Sequence, residues 1–170
     1  MIEVRNANKD DIESIIQIEQ VCFPVAEACD AQTFYERFHA FGDHFLVAVD
    51  HRKVIGFING SSTSQPLLVD ELYHDVSLHI PDGDYMTVFG LDVSVHYRHQ
   101  GIASMLMKAY IQMAKDRHKK GIVLTCKDHL IAFYESFGFV HQGVSASNHG
   151  GVKWNDMLLL FNEENELVNN

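Results

Sequence analysis

"VFGLDVSVHYRHQGIASMLMKAY", residues 88–110, decides the fold. Its first third is rich in β-formers around Gly90, and its last third carries apolar residues at helical spacing. An isolated glycine inside a strand marks a bulge or a close backbone approach. Between strand and helix lies Arg98-His99-Gln100-Gly101, a turn with one glycine and one guanidinium. The first N–H groups of a helix have no partner within it, and the helix dipole adds partial positive charge there. Arg98 adds a full charge, and Gly101 removes the side chain where a phosphate would press closest. Together these features suit a diphosphate. No Gly-Lys-Ser/Thr follows, as a P-loop requires, and the other glycines of the dinucleotide fingerprint are missing.

Outward from this stretch, "IEVRNA" alternates like a strand, and a helix is expected from Asn8 to Val21. Asn8 caps it, and Ile12, Ile15 and Ile16 share a face. Pro24 stops that helix, and a second one begins near Asp30 with Phe34, Tyr35 and Phe38 inward. "FLVAVD" and "VIGFING" form an antiparallel hairpin through "HRK". A short helix over 69–74 precedes the β-rich run "YMTVFGLDVSV". The next helix spans 102–118, with Ile102, Met105, Leu106, Ala109, Tyr110 and Met113 on its inner face, and Gly121 ends it. "IVLTC" is a buried strand, "HLIAFYESFG" a helix stopped by Gly138, and 139–146 and 152–161 are strands. The order β-α-α-β-β-β-α-β-α-β-β predicts a mixed α/β class with a partly antiparallel sheet.

At 170 residues, with no repeat or linker, the chain suits one domain spanning 1–170. No apolar run is long enough to cross a bilayer, and the N-terminus lacks the basic and apolar regions of a signal peptide. The expectation is a cytoplasmic protein without a membrane partner. Asp and Glu outnumber Lys and Arg by 23 to 13, which argues against a nucleic-acid partner and suits a cationic substrate. The three cysteines form no CxxC pair, so buried thiols are expected rather than disulfides or zinc. The histidines, His96 and His99 included, show no metal-binding spacing.

Arg98-His99-Gln100-Gly101-Ile102-Ala103 resembles the Arg/Gln-x-x-Gly-x-Gly/Ala signature of the GNAT family of N-acetyltransferases. The downstream "FYESFGF" is similar to that family's second motif, and "CFPVAEA" and "SLHIPDG" resemble its arylalkylamine (serotonin) N-acetyltransferase branch. The resemblance implies a single-domain α/β GNAT fold: a mixed, mostly antiparallel central sheet with a bulged, splayed strand, flanked by helices. It implies acetyl-CoA as co-substrate and direct transfer to a small-molecule primary amine, without an acyl-enzyme. It further implies that the loop Arg98, His99, Gln100, Gly101, Ile102, Ala103 and Ser104 binds the pyrophosphate. The strand residues Leu91, Asp92 and Val93 would then face the pantetheine arm, and Phe23, Pro24 and Glu27 the acceptor. Tyr134 falls on the tyrosine that protonates the leaving thiolate. A phenol, with a pKa near 10, is protonated at neutral pH and suits that task.

The arylalkylamine branch carries two histidines on the strand before the turn, where this chain has Thr87 and Phe89. Neither accepts a proton from an ammonium. An alkylamine with a pKa near 10.4 needs about 4.6 kcal/mol to deprotonate at pH 7. A water chain, Glu27 or backbone carbonyls near the bulge are candidates to meet that need. Asp92 also lies on the right strand, on the opposite face of the pleat from Leu91 and Val93. The acceptor is read as arylalkylamine- or polyamine-like. A peptide or protein amine, and a non-catalytic acyl-CoA-binding sensor, remain as alternatives, and a homodimer is left open.

Overall fold

Asn8 sets the first boundary of the chain. Its side chain accepts from the Asp10 N–H at 3.0 Å, while Asp11 accepts from the Asn8 N–H at 2.8 Å. This reciprocal cap ends β1 (Ile2–Asn6) and starts a 3₁₀ turn that runs into α1 (Ile12–Cys22). The computed structural model describes residues 1–162. Asp30 caps α2 (Ala31–Phe41) by accepting from the Thr33 N–H at 2.8 Å. Phe34 and Phe38 pack inward. Tyr35, expected beside them, is 48% exposed and donates to Glu13 instead. One residue along a helix is about 100° of rotation, which takes Tyr35 off the buried face.

The hairpin joins β2 (Phe45–Asp50) to β3 (Lys53–Asn59) through His51 and Arg52, both with positive φ. That conformation matches the right-handed twist of the flanking strands. Then follow β4 (Ser62–Thr63), α3 (Asp70–His74), β5 (Tyr85–Val88) and β6 (Gly90–Val93). The remaining elements are α4 (Ile102–Asp116), β7 (Gly121–Cys126), α5 (Ile131–Glu135), β8 (Val140–Val144) and β9 (Asn155–Leu160). Two sheets form, ordered β1-β2-β3-β6 and β4-β5-β7-β9-β8. Every described pairing is antiparallel except β5 with β7.

The β-rich run around Gly90 is therefore two strands. β6 stays on β3, β5 crosses to β7, and the two sheets part at Phe89. Helix α4 packs against strands of both sheets. Its Tyr110 hydroxyl donates to the Thr87 carbonyl at 2.6 Å, close to the point of parting. Gly60 is required there, because a β-carbon would stand 1.7 Å from that carbonyl oxygen and 2.6 Å from the Tyr110 hydroxyl. Met105, expected inward, is exposed, and Met107 and Ala114 are buried instead. Gly121 does not end α4 but begins β7, where a β-carbon would meet the Leu159 carbonyl at 2.1 Å. The chain leaves the helix through His118 in the left-handed region, φ 58°.

Before β2, His44 is buried with Nδ1 2.9 Å from Asp43 Oδ1 and Nε2 2.7 Å from Ser62 Oγ. Burial pushes its pKa down to about 4, against the pull of Asp43. A depressed histidine pKa contributes stability above the unfolded value near 6.5, and that contribution is lost as pH falls toward 4. Wild type should lose about 3 kcal/mol more than His44→Gln between pH 7 and pH 4. Urea unfolding of both proteins across that range checks this; parallel curves would remove His44 from acid sensitivity.

Candidate active site

The parting of β5 from β6 opens a cavity of about 180 Å³. Val88, Phe89, Gly90 and Leu91 border one side, Leu124–Lys127 another, and Tyr134 of α5 a third. The separation is held by the backbone: Phe89 N–H donates to Asn59 O at 2.7 Å, and Thr87 N–H to Ser61 O at 2.8 Å. β6 is the edge strand of its sheet. Ser94 N–H donates to Ile55 O, so the alternation of the ladder turns the backbone groups of Leu91 and Val93 away from β3. The Val93 carbonyl accepts weakly from Arg98 Nε at 3.4 Å and from Cys22 Sγ at 3.5 Å.

Beyond β6 a 3₁₀ turn (Val95–Tyr97) leads into the loop. His99 and Gly101 both have positive φ, 64° and 79°, which throws the chain sharply into α4. Gly101 is the N-cap, and no side chain caps the helix. The first helical bond runs from Met105 N–H to Gly101 O. The amides of Ile102, Ala103 and Ser104 have no acceptor among the described residues. A β-carbon on Gly101 would meet nothing within 4 Å, and Arg98, His99 and Gln100 are exposed beside it. An open concavity of unpaired N–H groups next to a guanidinium fits a diphosphate.

Tyr134 is 7% exposed, edge-on to Phe133 and Phe139. Burial raises its phenol pKa, and Cys126 and Asp92 add to the rise, so the hydroxyl stays protonated. Phe23 and Glu27 border the cavity. The Glu27 side chain is buried in an ion pair with Lys127 at 2.7 Å. Pro24 is exposed and lies outside the cavity lining; its carbonyl accepts from Glu27 and Ala28 N–H to make the turn. Asp92 points away from the cavity, 2% exposed, with α1 packed over β6. Thr87 is buried and accepts from Ser61 N–H, and Phe89 lies under the Arg37 guanidinium at 4.4 Å.

Among the lining residues that escaped the sequence reading are Glu19 of α1 and Arg37 of α2. Glu19 is 6% exposed, and its Oε2 accepts from the Cys29 N–H at 2.8 Å. Arg37 is 4% exposed and donates to Tyr73 O at 3.1 Å and Asn59 Oδ1 at 3.4 Å. Their signal was spacing. Glu19 stands seven residues after Ile12, and Arg37 three after Phe34, so both fall on faces otherwise apolar and buried. The loop 145–151 closes the far side, with His149 near Glu27 O at 3.1 Å and Trp154 donating to His149 O at 2.8 Å. Burial pushes the Cys29 thiol to about 12 and the Cys126 thiol to about 11, so neither is a thiolate nucleophile at neutral pH.

Known proteins are similar to this chain in sequence and in fold. The sequence model of the acetyltransferase (GNAT) family matches residues 12–139. Serotonin N-acetyltransferase of Mesocricetus auratus is 27% identical over 165 residues, covering 91% of this chain and 75% of that protein. The crystal structure of the loading GNATL domain of CurA from Lyngbya majuscula superposes with a TM-score of 0.81 at 12% identity, over 94% of this chain and 98% of that one. The ribosomal-protein-S18-alanine N-acetyltransferase of Escherichia coli gives 0.70 at 20% identity, over 97% and 98%. The family match spans well over half the sequence and takes in the parted strands, the uncapped helix mouth and Tyr134. The chain belongs to the acetyltransferase (GNAT) family and is an acetyl-CoA-dependent N-acetyltransferase.

Proposed function

We propose that residues 1–170 act as one catalytic domain that acetylates the primary amine of a small arylalkylamine-like acceptor by direct attack in a ternary complex. One observation carries this: the strands part beside Tyr134, and the gap opens into a cavity walled by Phe23, Tyr73, Phe89 and Trp154. Such walls suit an aromatic or apolar acceptor body.

Acetyl-CoA supplies an activated acetyl thioester. The amides of Ile102, Ala103 and Ser104, with Arg98, His99, Gln100 and Gly101, would hold its pyrophosphate, and the outward backbone of Leu91 and Val93 its pantetheine arm. Asp92 serves that strand through its backbone, which faces β3. Phe23 and Glu27 border the acceptor space, and Pro24 shapes the turn beneath it. Tyr134 holds a proton at its phenolic oxygen and donates it to the departing sulfur. The protonated thiols of Cys29 and Cys126 favour direct attack over an acyl-cysteine.

The test is an amine panel with detection of released thiol. Phenethylamine-type compounds are expected to turn over fastest, and polyamines poorly. Turnover only with free peptide N-termini would replace the small-amine reading. Thermal stabilisation by acetyl-CoA with no turnover on any amine would make the protein a binder.

A further inference from the structure

The proposed transfer needs a neutral amine, and the residues at positions 87 and 89 cannot produce one. At the edge of the site, the buried carboxylate oxygens with neither a hydrogen-bond donor nor a cation beside them among the described residues include Oε1 of Glu19 and both oxygens of Asp92. Both residues are more than nine-tenths buried. A β-carbon built on Gly90 would stand 3.5 Å from Asp92 Oδ1 and 3.7 Å from Glu19 Oε1, so the two orphan oxygens converge on one side of Gly90. Gly90 and Glu19 both border the cavity. Two carboxyls so placed cannot both ionise, and one shared proton satisfies the facing oxygens.

We propose that Glu19 and Asp92 form a single proton-accepting carboxyl pair, with Glu19 taking the proton of the acceptor's ammonium and Asp92 positioning it. This rests on the acetyl-transfer reading above. One ammonium N–H bond breaks, its electron pair stays on nitrogen, and the proton passes to Glu19 Oε1. A neutral amine and a fully protonated pair remain, and solvent takes the extra proton after turnover.

The surroundings support the assignment. Burial, then Glu19, raises the Asp92 carboxyl well above the usual range; Cys22 adds to this and Arg98 opposes it. Cys29 faces the pair from the α1–α2 connection, and Tyr134 faces Asp92 from α5. Asp92, with its raised proton affinity, holds the shared proton. A buried anion beside a cavity also attracts the cationic form of the substrate.

Glu19→Gln keeps an acceptor for the Cys29 N–H, so it removes the proton function with little change of shape. In wild type and this variant, kcat/KM is measured with a turned-over amine from pH 6 to 10. The variant should lose activity by tens of fold at pH 7 and recover to within a few-fold at pH 10, where free amine is abundant. Asp92→Asn should displace the acidic limb of the profile. Without acetyl-CoA, the amine should raise the Tm of wild type and not of Glu19→Gln. In the same apo protein, the Tm advantage of Asp92→Asn over wild type should grow as pH rises, because Asn mimics a carboxyl that prefers its proton.

A Glu19→Gln deficit constant across pH would make the residue structural and overturn the proposal. So would a pH-independent Tm difference for Asp92→Asn. Wild type that releases no thiol with any amine sinks the acetyl-transfer reading instead, while the apo melting series still decides the pair.

Discussion

Tyr134→Phe lowers kcat by 10²–10³-fold and leaves acetyl-CoA affinity within twofold of wild type: that is the expected result of removing one hydroxyl. General acid catalysis contributes about 10²–10⁴-fold, or roughly 3–5 kcal/mol of barrier. The ring itself is held edge-on between Phe133 and Phe139, contacts that phenylalanine keeps. Stability should therefore change little, and the loss should fall on the chemical step. Because the phenol pKa is raised, wild type should show no decline assignable to Tyr134 below pH 10. Single-turnover rates with pre-bound acetyl-CoA separate the step from product release. Unchanged kcat would remove Tyr134 from proton donation.

Gly101→Val weakens acetyl-CoA binding by roughly 10³-fold. Losing two or three hydrogen bonds to a charged group, at about 1.5–3 kcal/mol each, accounts for about 4 kcal/mol. Valine faces two penalties there. Its side chain fills the open space beside the helix amides, and φ 79° is a left-handed conformation that β-branched residues resist. Asparagine tolerates that conformation yet still occupies the space, so Gly101→Asn separates the two effects. Both variants should bind poorly by calorimetry, while only valine lowers Tm. Wild-type affinity in both would defeat the phosphate cradle at this loop.

What the sequence revealed was local. Asn8 and Asp30 cap by their own side chains, the hairpin turns where the polar "HRK" interrupts two apolar runs, and α4 follows a turn whose glycine was visible. The strand parting was harder to see. Gly90 flagged an irregularity, but the point of parting also brings together Gly60, Thr87 and Tyr110 across fifty residues of chain. Long separation also hid the ion pair of Glu27, whose partner Lys127 lies a hundred residues away. Glu19 and Arg37 were legible in principle as charges on inward helix faces. Helix spacing alone does not say that such a face borders a cavity rather than the core.

Tyr110 reaches from α4 to the Thr87 carbonyl while the same helix rests on strands of the other sheet. It acts as a keystone: neither leaf of the molecule melts without disturbing it. Amide hydrogens along its buried side should be among the slowest to exchange, and the cleft should keep its width in the resting protein. Guests then enter a doorway already framed.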